Sequence, residues 1–341
     1  MRSSLKLILI LSLTVFGCES TKDDSSITEF GKVFVSSNTD AKIGIFDFSD
    51  SLNITSVEFL TTIDDADGIY YDRNRDLLYQ ADREHNRINA FSKLSNNKVG
   101  SSILPSAIST SDFLNPRGLT SENNIAIVAQ DASDANGQQN AFFVYDVGAN
   151  AITLRNEFNV NFPVWDIQLV GNTLYAVQDE SDSIAIFNNF FGLENGIIVP
   201  DFKIRIENLD RAHGFYYSLD EDLMILTDVD DVSDTELDGE IRIIEDFNIK
   251  VSATLQTIDK TIFKEDQIKI SGPNTMLRNP VDVVYHRASN RIIVAERTTN
   301  EGMLLSFPRP TLSGDTLLNI SPTFMVNYPG ASGLFINQDN R

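Results

Sequence analysis

Residues able to bind or transform a ligand recur along this chain about every 50 positions. Four of them begin a short apolar segment: Asp67, Arg117, Trp165 and His213. Five acidic residues end another apolar segment of the same units: Asp82, Asp131, Asp179, Asp228 and Glu296. Carboxylates bind hard cations, guanidinium groups bind anions, and imidazole exchanges protons near neutral pH. These residues form our candidate ligand-binding set.

Two kinds of catalysis would suit these residue types. His213 could act as a general base, because the unperturbed pKa of imidazole is about 6.5. The acids could instead hold Ca²⁺ for metal-assisted hydrolysis. Asp and Asn beside strands more often cap turns. The sequence therefore assigns no catalytic residue and no metal ligand, and Ca²⁺ is the one cofactor that the residue types suggest.

Composition excludes several other functions. The chain has 49 acidic and 27 basic residues, a formal net charge of −22 and a pI near 4.4. Nucleic acid is therefore not an expected partner, because phosphate binding requires clustered Lys and Arg. The single cysteine excludes an intramolecular disulfide and a thiolate-rich metal site. Phosphate-loop, serine-hydrolase and zinc-protease motifs are absent from the sequence.

The N-terminus has the features of an export signal. A basic start precedes an apolar run at 7–16, which at about 1.5 Å per residue is too short to span a bilayer. The residues Val15-Phe16-Gly17-Cys18 resemble a bacterial lipobox. That resemblance implies acylation of Cys18, palmitate included, and attachment to the outer membrane on either its periplasmic or its cell-surface side. We predict a lipoprotein signal peptide at 1–17, a flexible acidic tether at 18–30 and one folded domain at 31–341.

Beyond the tether, one unit of short apolar segments and polar turns is repeated. Its marker positions 68, 118, 166, 214, 282 and 333 are separated by 50, 48, 48, 68 and 51 residues. Four strands per unit, repeated in this way, predict an all-β six-bladed β-propeller. Residues 332–336 would supply the innermost strand of the last blade, and residues 33–60 its other three, which closes the ring. A seventh blade within the 68-residue interval is the rival interpretation. The interval is too short for two blades, so we interpret residues 248–277 as an outer strand and an excursion.

The start of one unit carries a family resemblance. Asn115-Pro116-Arg117-Gly118-Leu119 is similar to the blade starts of NHL and YVTN-like propellers, and Asn279-Pro280-Val281 is a degenerate second copy. The resemblance implies the fold and no particular activity, because such propellers include lactonases, lyases, sugar hydrolases and binding platforms.

The repeat also predicts where the candidate residues meet. The first and second strands of a blade run antiparallel, so the candidates would gather on one face of the ring, around the channel. We therefore expect a membrane-anchored, extracytoplasmic module that binds a small molecule, a glycan or a protein at the channel mouth. The alternatives are a metal-dependent hydrolase or lactonase and a structural subunit of a larger surface complex.

Overall fold

The computed structural model describes residues 27–148, 150–230, 237–311 and 316–338. The predicted signal peptide, Cys18 and most of the predicted tether lie outside these residues. Among the described helices, none has the length and apolar character required to cross a membrane.

The described residues form mainly short strands. In chain order they are β1 (Lys32–Ser37), β2 (Lys42–Asp47), β3 (Thr55–Leu60), β4 (Ala66–Asp72), β5 (Leu77–Asp82), β6 (Arg87–Ser92), β7 (Ala107–Ile108), β8 (Pro116–Glu122), β9 (Ile125–Gln130), β10 (Asn140–Val147), β11 (Ile152–Val160), β12 (Val164–Val170), β13 (Thr173–Gln178) and β14 (Ser183–Phe187). They continue with β15 (Gly196–Ile197), β16 (Phe202–Ile206), β17 (Ala212–Ser218), β18 (Leu223–Asp228), β19 (Glu240–Glu245), β20 (Thr261–Ile262), β21 (Ile268–Ser271), β22 (Pro280–His286), β23 (Arg291–Glu296), β24 (Met303–Pro308), β25 (Thr316–Leu318), β26 (Phe324–Asn327) and β27 (Ala331–Asn337). One α-helix, α1 (Phe247–Thr254), and short 3₁₀ turns at Leu94–Asn96, Asp134–Asn136, Phe190–Gly192, Lys264–Asp266 and Thr299–Glu301 join them.

These strands form six sheets, which are the blades of a β-propeller. From the axis outward the sheets are β27-β1-β2-β3, β4-β5-β6-β7, β8-β9-β10-β11-β15, β12-β13-β14-β16-β20, β17-β18-β19-β21-β25 and β22-β23-β24-β26. The innermost strands β27, β4, β8, β12, β17 and β22 contact one another in a closed cycle. The predicted six-bladed propeller is confirmed, and three blades carry a fifth, short strand that joins in parallel.

Burial explains the apolar pattern of each blade. The second strand β18 is buried along its whole length, because neighbouring blades cover both of its faces. The outer strand β16 alternates instead, with Ile204 buried and Lys203 and Arg205 exposed. Apolar side chains from adjacent blades pack into shared clusters, so each blade depends on its neighbours for its core.

The two chain ends close the ring, as predicted. β27 pairs antiparallel with β1, with Val33 opposite Ile336 and Val35 opposite Leu334. The hydroxyl of Tyr328 donates to the carbonyl of Val35 at 3.1 Å. This pairing covers edges that would otherwise be open to another chain.

The described residues of the long interval between positions 214 and 282 form no seventh blade. After β18 and β19 they hold α1, the two-residue strand β20, which extends the preceding blade, and the outer strand β21. The additional length is therefore an excursion between the third and fourth strands of one blade.

Candidate functional site

A constriction near the start of the innermost strands divides the channel into two faces. In every blade the register between the first and second strands shifts at this level. The residues there are Gly68, Gly118, Asp166, Gly214, Asp282 and Gly333. A Cβ atom on Gly68 would lie only 2.6 Å from the carbonyl oxygen of Arg117. We call the face where the innermost strands begin the upper face, and the opposite one the lower face.

Three predicted site residues form a stack on the upper face. The rings of Trp165 and His213 are 3.6 Å apart and inclined by 2°, and the guanidinium carbon of Arg117 lies 4.0 Å from the indole. The three residues hold the same position on consecutive blades, so Arg117 and His213 cover opposite faces of the indole. Trp165 is 8% exposed and His213 2%. A sugar ring therefore has no free indole face on which to stack.

Three predicted acids hold this stack in place. Arg117 lies 3.6 Å from Asp67 and 3.4 Å from Asp131. Asp179 lies 2.7 Å from the Nε of Arg211 and 3.4 Å from the Nε2 of His213. The structure thus brings together six of the nine candidates: Asp67, Arg117, Asp131, Trp165, Asp179 and His213. Their charges are largely satisfied by one another.

Burial and ion pairing shift the protonation of this group. Burial raises the pKa of Asp131, and the attraction of Arg117 only partly opposes it. Burial would raise the pKa of Asp179 too, but the imidazole of His213 at 3.4 Å and two hydrogen bonds from Arg211 hold it well below the usual range. Burial lowers the pKa of His213 despite Asp179. His213 is therefore neutral at pH 7, but it is too deeply covered to reach a substrate as a general base.

The remaining three candidates cap loops. Asp82 accepts the backbone N–H of His85 at 2.9 Å. Asp228 and Glu296 likewise hold loop N–H groups, each at 2.9 Å. This is the capping role typical of acids beside turns. The structure does not join these three to the stack.

The acids of the upper face do not fit a calcium centre in the channel. Among the described residues, one group of three potential ligands lies close together: Asp82, Glu84 and His85. Asp82 already accepts hydrogen bonds from Arg87 at 3.2 Å and Asn89 at 2.9 Å. The acids of the stack are paired with arginine or histidine, so Ca²⁺ would have to displace those partners.

The lower face opens into a cavity of about 870 Å³, which we call the funnel. Apolar side chains that follow the constriction form its inner wall: Ile69, Leu119, Ile167, Phe215, Val283 and Leu334. Polar side chains such as Arg73 and Asn123 lie farther out, at the ends of the innermost strands. Concave spaces of a few hundred to about 1,000 Å³ are the usual form of a small-molecule site, and this one combines apolar and polar side chains in comparable proportion.

Two carboxyl groups form the floor of the funnel. Asp166 accepts the N–H of Ile167 at 2.8 Å and that of Phe215, on the next blade, at 3.4 Å. Asp282 makes the same two kinds of bond, at 2.7 Å to the following residue and 2.6 Å to the next blade. Burial raises the pKa of Asp166 to about 7 and that of Asp282 well above its usual value.

Sequence reasoning missed these two acids, although a signal was present. Both stand at marker positions of the repeat, where the other four blades have glycine. A side chain at a position that otherwise requires glycine marks a deviation from the repeat. Our prediction considered the residues one position earlier, which point into the upper face.

Comparisons with known proteins support the fold. No protein-family model matches the sequence, and no curated protein matches it. Among solved structures, a Bacteroides fragilis protein described as a candidate 6-phosphogluconolactonase matches with a TM-score of 0.60 and 11% identity, over 91% of this chain and 98% of that one. A chain of the nidogen–laminin complex matches with a TM-score of 0.56 and 12% identity, over 91% and 99%. A functionally unknown protein from Desulfotomaculum acetoxidans gives 0.51 and 12%, over 86% and 79%. Likenesses at this identity show the propeller fold alone.

Proposed function

We propose that this protein is a lipid-anchored, extracytoplasmic propeller that binds a small molecule in the funnel of its lower face. The observation that carries the proposal is the funnel itself, about 870 Å³ of space with an apolar inner ring that ends on two carboxyl groups with raised pKa values. Cavities of this size suit drug-sized ligands, and acids with perturbed pKa values cluster at functional sites.

The upper face is the weaker candidate for the same role. Its stack is held by ion pairs, and both faces of its indole are covered. A ligand there would first have to separate Arg117 from Asp67 or Asp131. The upper face keeps its predicted binding role only for a partner whose charges replace those of the separated ion pair.

The position of the N-terminal residues supports an orientation relative to the membrane. The carbonyl of Thr28 accepts from Arg73 at 2.6 Å, and that of Glu29 accepts from Asn337 at 2.9 Å. Both donors line the funnel, so the tether leaves the domain at the lower face. Eight residues lie between Cys18 and Ile27, and the nine Cα–Cα steps give a reach of at most about 30 Å. An acylated Cys18 would therefore hold the funnel toward the membrane.

A fluorescent apolar probe tests the funnel as the binding site. N-phenyl-1-naphthylamine, which is uncharged at neutral pH, should bind the wild-type protein and gain fluorescence. Leu334→Trp, at the inner wall, and Val170→Trp, farther out, should each weaken binding at least tenfold, because both fill the same space. Leu154→Trp on the outer strand β11, 37% exposed, is the matched control and should bind normally.

Two results would oppose the proposal. Binding that survives both funnel variants would place the ligand elsewhere. Loss of binding in Trp165→Ala, with normal binding in both funnel variants, would move the site to the upper face.

Hydrolysis is the second candidate, and the fold likeness to the candidate lactonase is the observation that favours it. A metal-dependent hydrolase would lose its activity when its metal is removed. Elemental analysis before and after chelation, together with lactone hydrolysis assays, would detect this. A stoichiometric metal whose removal abolishes hydrolysis would establish the enzyme.

A further inference from the structure

The floor of the funnel holds two carboxyl groups that face one space. Asp166 and Asp282 lie on blades separated by a single blade, which has Gly214 at the same level. A Cβ atom on Gly214 would lie 2.7 Å from the Oδ1 of Asp282. The glycine therefore leaves room for the carboxyl group, and both acids border the funnel.

No basic partner accompanies this pair. Among the described residues, no lysine, arginine or histidine nitrogen lies within 4.0 Å of either carboxyl group. The acidic groups that act on the pair are the two carboxyls themselves and Asp67, which is paired with Arg117 at 3.6 Å. The upper face thus pairs its acids with cations, whereas the funnel floor does not.

The hydrogen bonds of Asp166 and Asp282 indicate the charge of the ligand that this pair would bind. Both oxygens of Asp166 and both oxygens of Asp282 already accept backbone N–H groups. Such bonds favour the ionised carboxylate, whereas burial without a cation opposes it. A positively charged hydrogen-bond donor from outside the chain would remove that conflict, because it supplies charge and donors together.

The funnel walls define the rest of the ligand. Between the floor and the mouth, next to the floor, the inner wall of the funnel is a ring of apolar side chains that includes Leu119, Phe215 and Leu334. Aliphatic and aromatic surface placed there gains from leaving water. Polar groups border the cavity on the floor, along the wall at residues such as Thr120 and Gln168, and at the mouth.

We propose that the funnel binds an amphiphilic amine, with its ammonium group on Asp166 and Asp282 and its apolar body against the inner wall. This inference rests on the proposed function, because it names the ligand class of the same site. When the ammonium arrives, one of the two protonated carboxyl groups releases its proton to the buffer and the other keeps its proton, so that one carboxylate balances one ammonium.

An isosteric pair of compounds tests the ligand class separately from the site. 2-Naphthalenemethylamine is protonated at pH 7, and 2-naphthalenemethanol has the same shape without charge. Calorimetric titration at 150 mM salt should show the amine binding at least tenfold tighter to the wild-type protein. Proton release should accompany the amine and not the alcohol, as measured from binding heats in phosphate and in Tris.

Variants of the two floor residues test whether the preference for the amine over the alcohol depends on their carboxyl groups. Asp166→Asn and Asp282→Asn should each reduce the ratio of alcohol to amine dissociation constants several-fold, and the double variant should bring it near one. Asp146→Asn removes the same charge from a side chain that is 64% exposed on the outside, and it should leave the ratio unchanged. Thermal melts identify any variant that fails to fold, in which case the single variant that does fold decides.

The outcomes separate the two proposals. Equal binding of amine and alcohol, both blocked by Leu334→Trp, would overturn the amine proposal and leave the funnel as the site. A wild-type preference that survives the double variant would also overturn it. Failure of both compounds and of N-phenyl-1-naphthylamine to bind the wild-type protein would overturn both proposals.

Discussion

Replacement of Asp166 by asparagine should stabilise the protein at alkaline pH and not in acid. Burial raises the pKa of Asp166 from 3.8 to about 7, so the folded state holds a proton that the unfolded chain has released. Stability is therefore lost as the pH rises from about 4 to about 7, and the loss is constant above that range. Asparagine does not ionise, and Asp166→Asn escapes this loss.

The size of the expected stabilisation follows from the rise in the pKa of Asp166. A rise of the pKa from 3.8 to about 7 corresponds to at most about 4 kcal/mol at pH 8, at 1.36 kcal/mol per pH unit, and this energy belongs to the Asp166–Asp282 pair as a unit. Asparagine keeps an acceptor for the N–H of Ile167 but turns an amide donor toward that of Phe215, whose bond is already long at 3.4 Å. That mismatch costs about 1 kcal/mol. The net gain is at most about 3 kcal/mol, which corresponds to a rise of at most about 4 °C in Tm at about 2.1 cal/mol/K per residue of unfolding entropy.

Thermal melts of both proteins between pH 4.5 and pH 8 measure this difference. The wild type should lose stability relative to Asp166→Asn as the pH rises, and the gap should be largest at pH 8. Asp146→Asn, at an exposed position, should follow the wild type. A gap that does not change with pH, or a variant less stable than the wild type at pH 8, would refute the explanation by burial of this carboxyl group.

Three further predictions test the fold and its location. Gly118→Ala should destabilise the protein by about 1–3 kcal/mol in denaturant titration, because its Cβ would lie 2.8 Å from the Cα of Asp166. Gly148→Ala, whose Cβ would come no closer than 3.5 Å to its neighbours, should be nearly neutral, and equal effects would contradict the close packing at the constriction. Deletion of residues 331–341 removes β27 and should abolish the cooperative melt, because β1 loses its partner at the closure; a truncated chain that melts like the wild type would contradict this. Cys18→Ser should move the protein from the membrane to the soluble fraction and eliminate palmitate labelling, whereas unchanged membrane association would contradict the lipid anchor.

The repeat made the fold predictable. The marker spacing and the split final unit were sufficient to predict six blades and the closure by β27, because every blade needs the same apolar run at the same place. The 68-residue interval was correctly interpreted as one blade with an excursion, since it is too short for two four-stranded blades.

The same repeat placed residues on a face without specifying their partners. It brought Asp67, Arg117, Trp165 and His213 to the upper face. It could not show that ion pairs would lock them into a stack, because pairing depends on side-chain directions between blades. The packing that makes Asp166 a floor residue likewise depends on how closely six backbones approach at the axis.

A crystal structure of the protein grown with 2-naphthalenemethylamine tests the funnel site most directly. We expect density for the ring system against Leu119 and Phe215 in the funnel, with the amine nitrogen within hydrogen-bonding distance of Asp166 and Asp282. A compound bound instead on the upper face, beside Arg117 or Trp165, would contradict the funnel site.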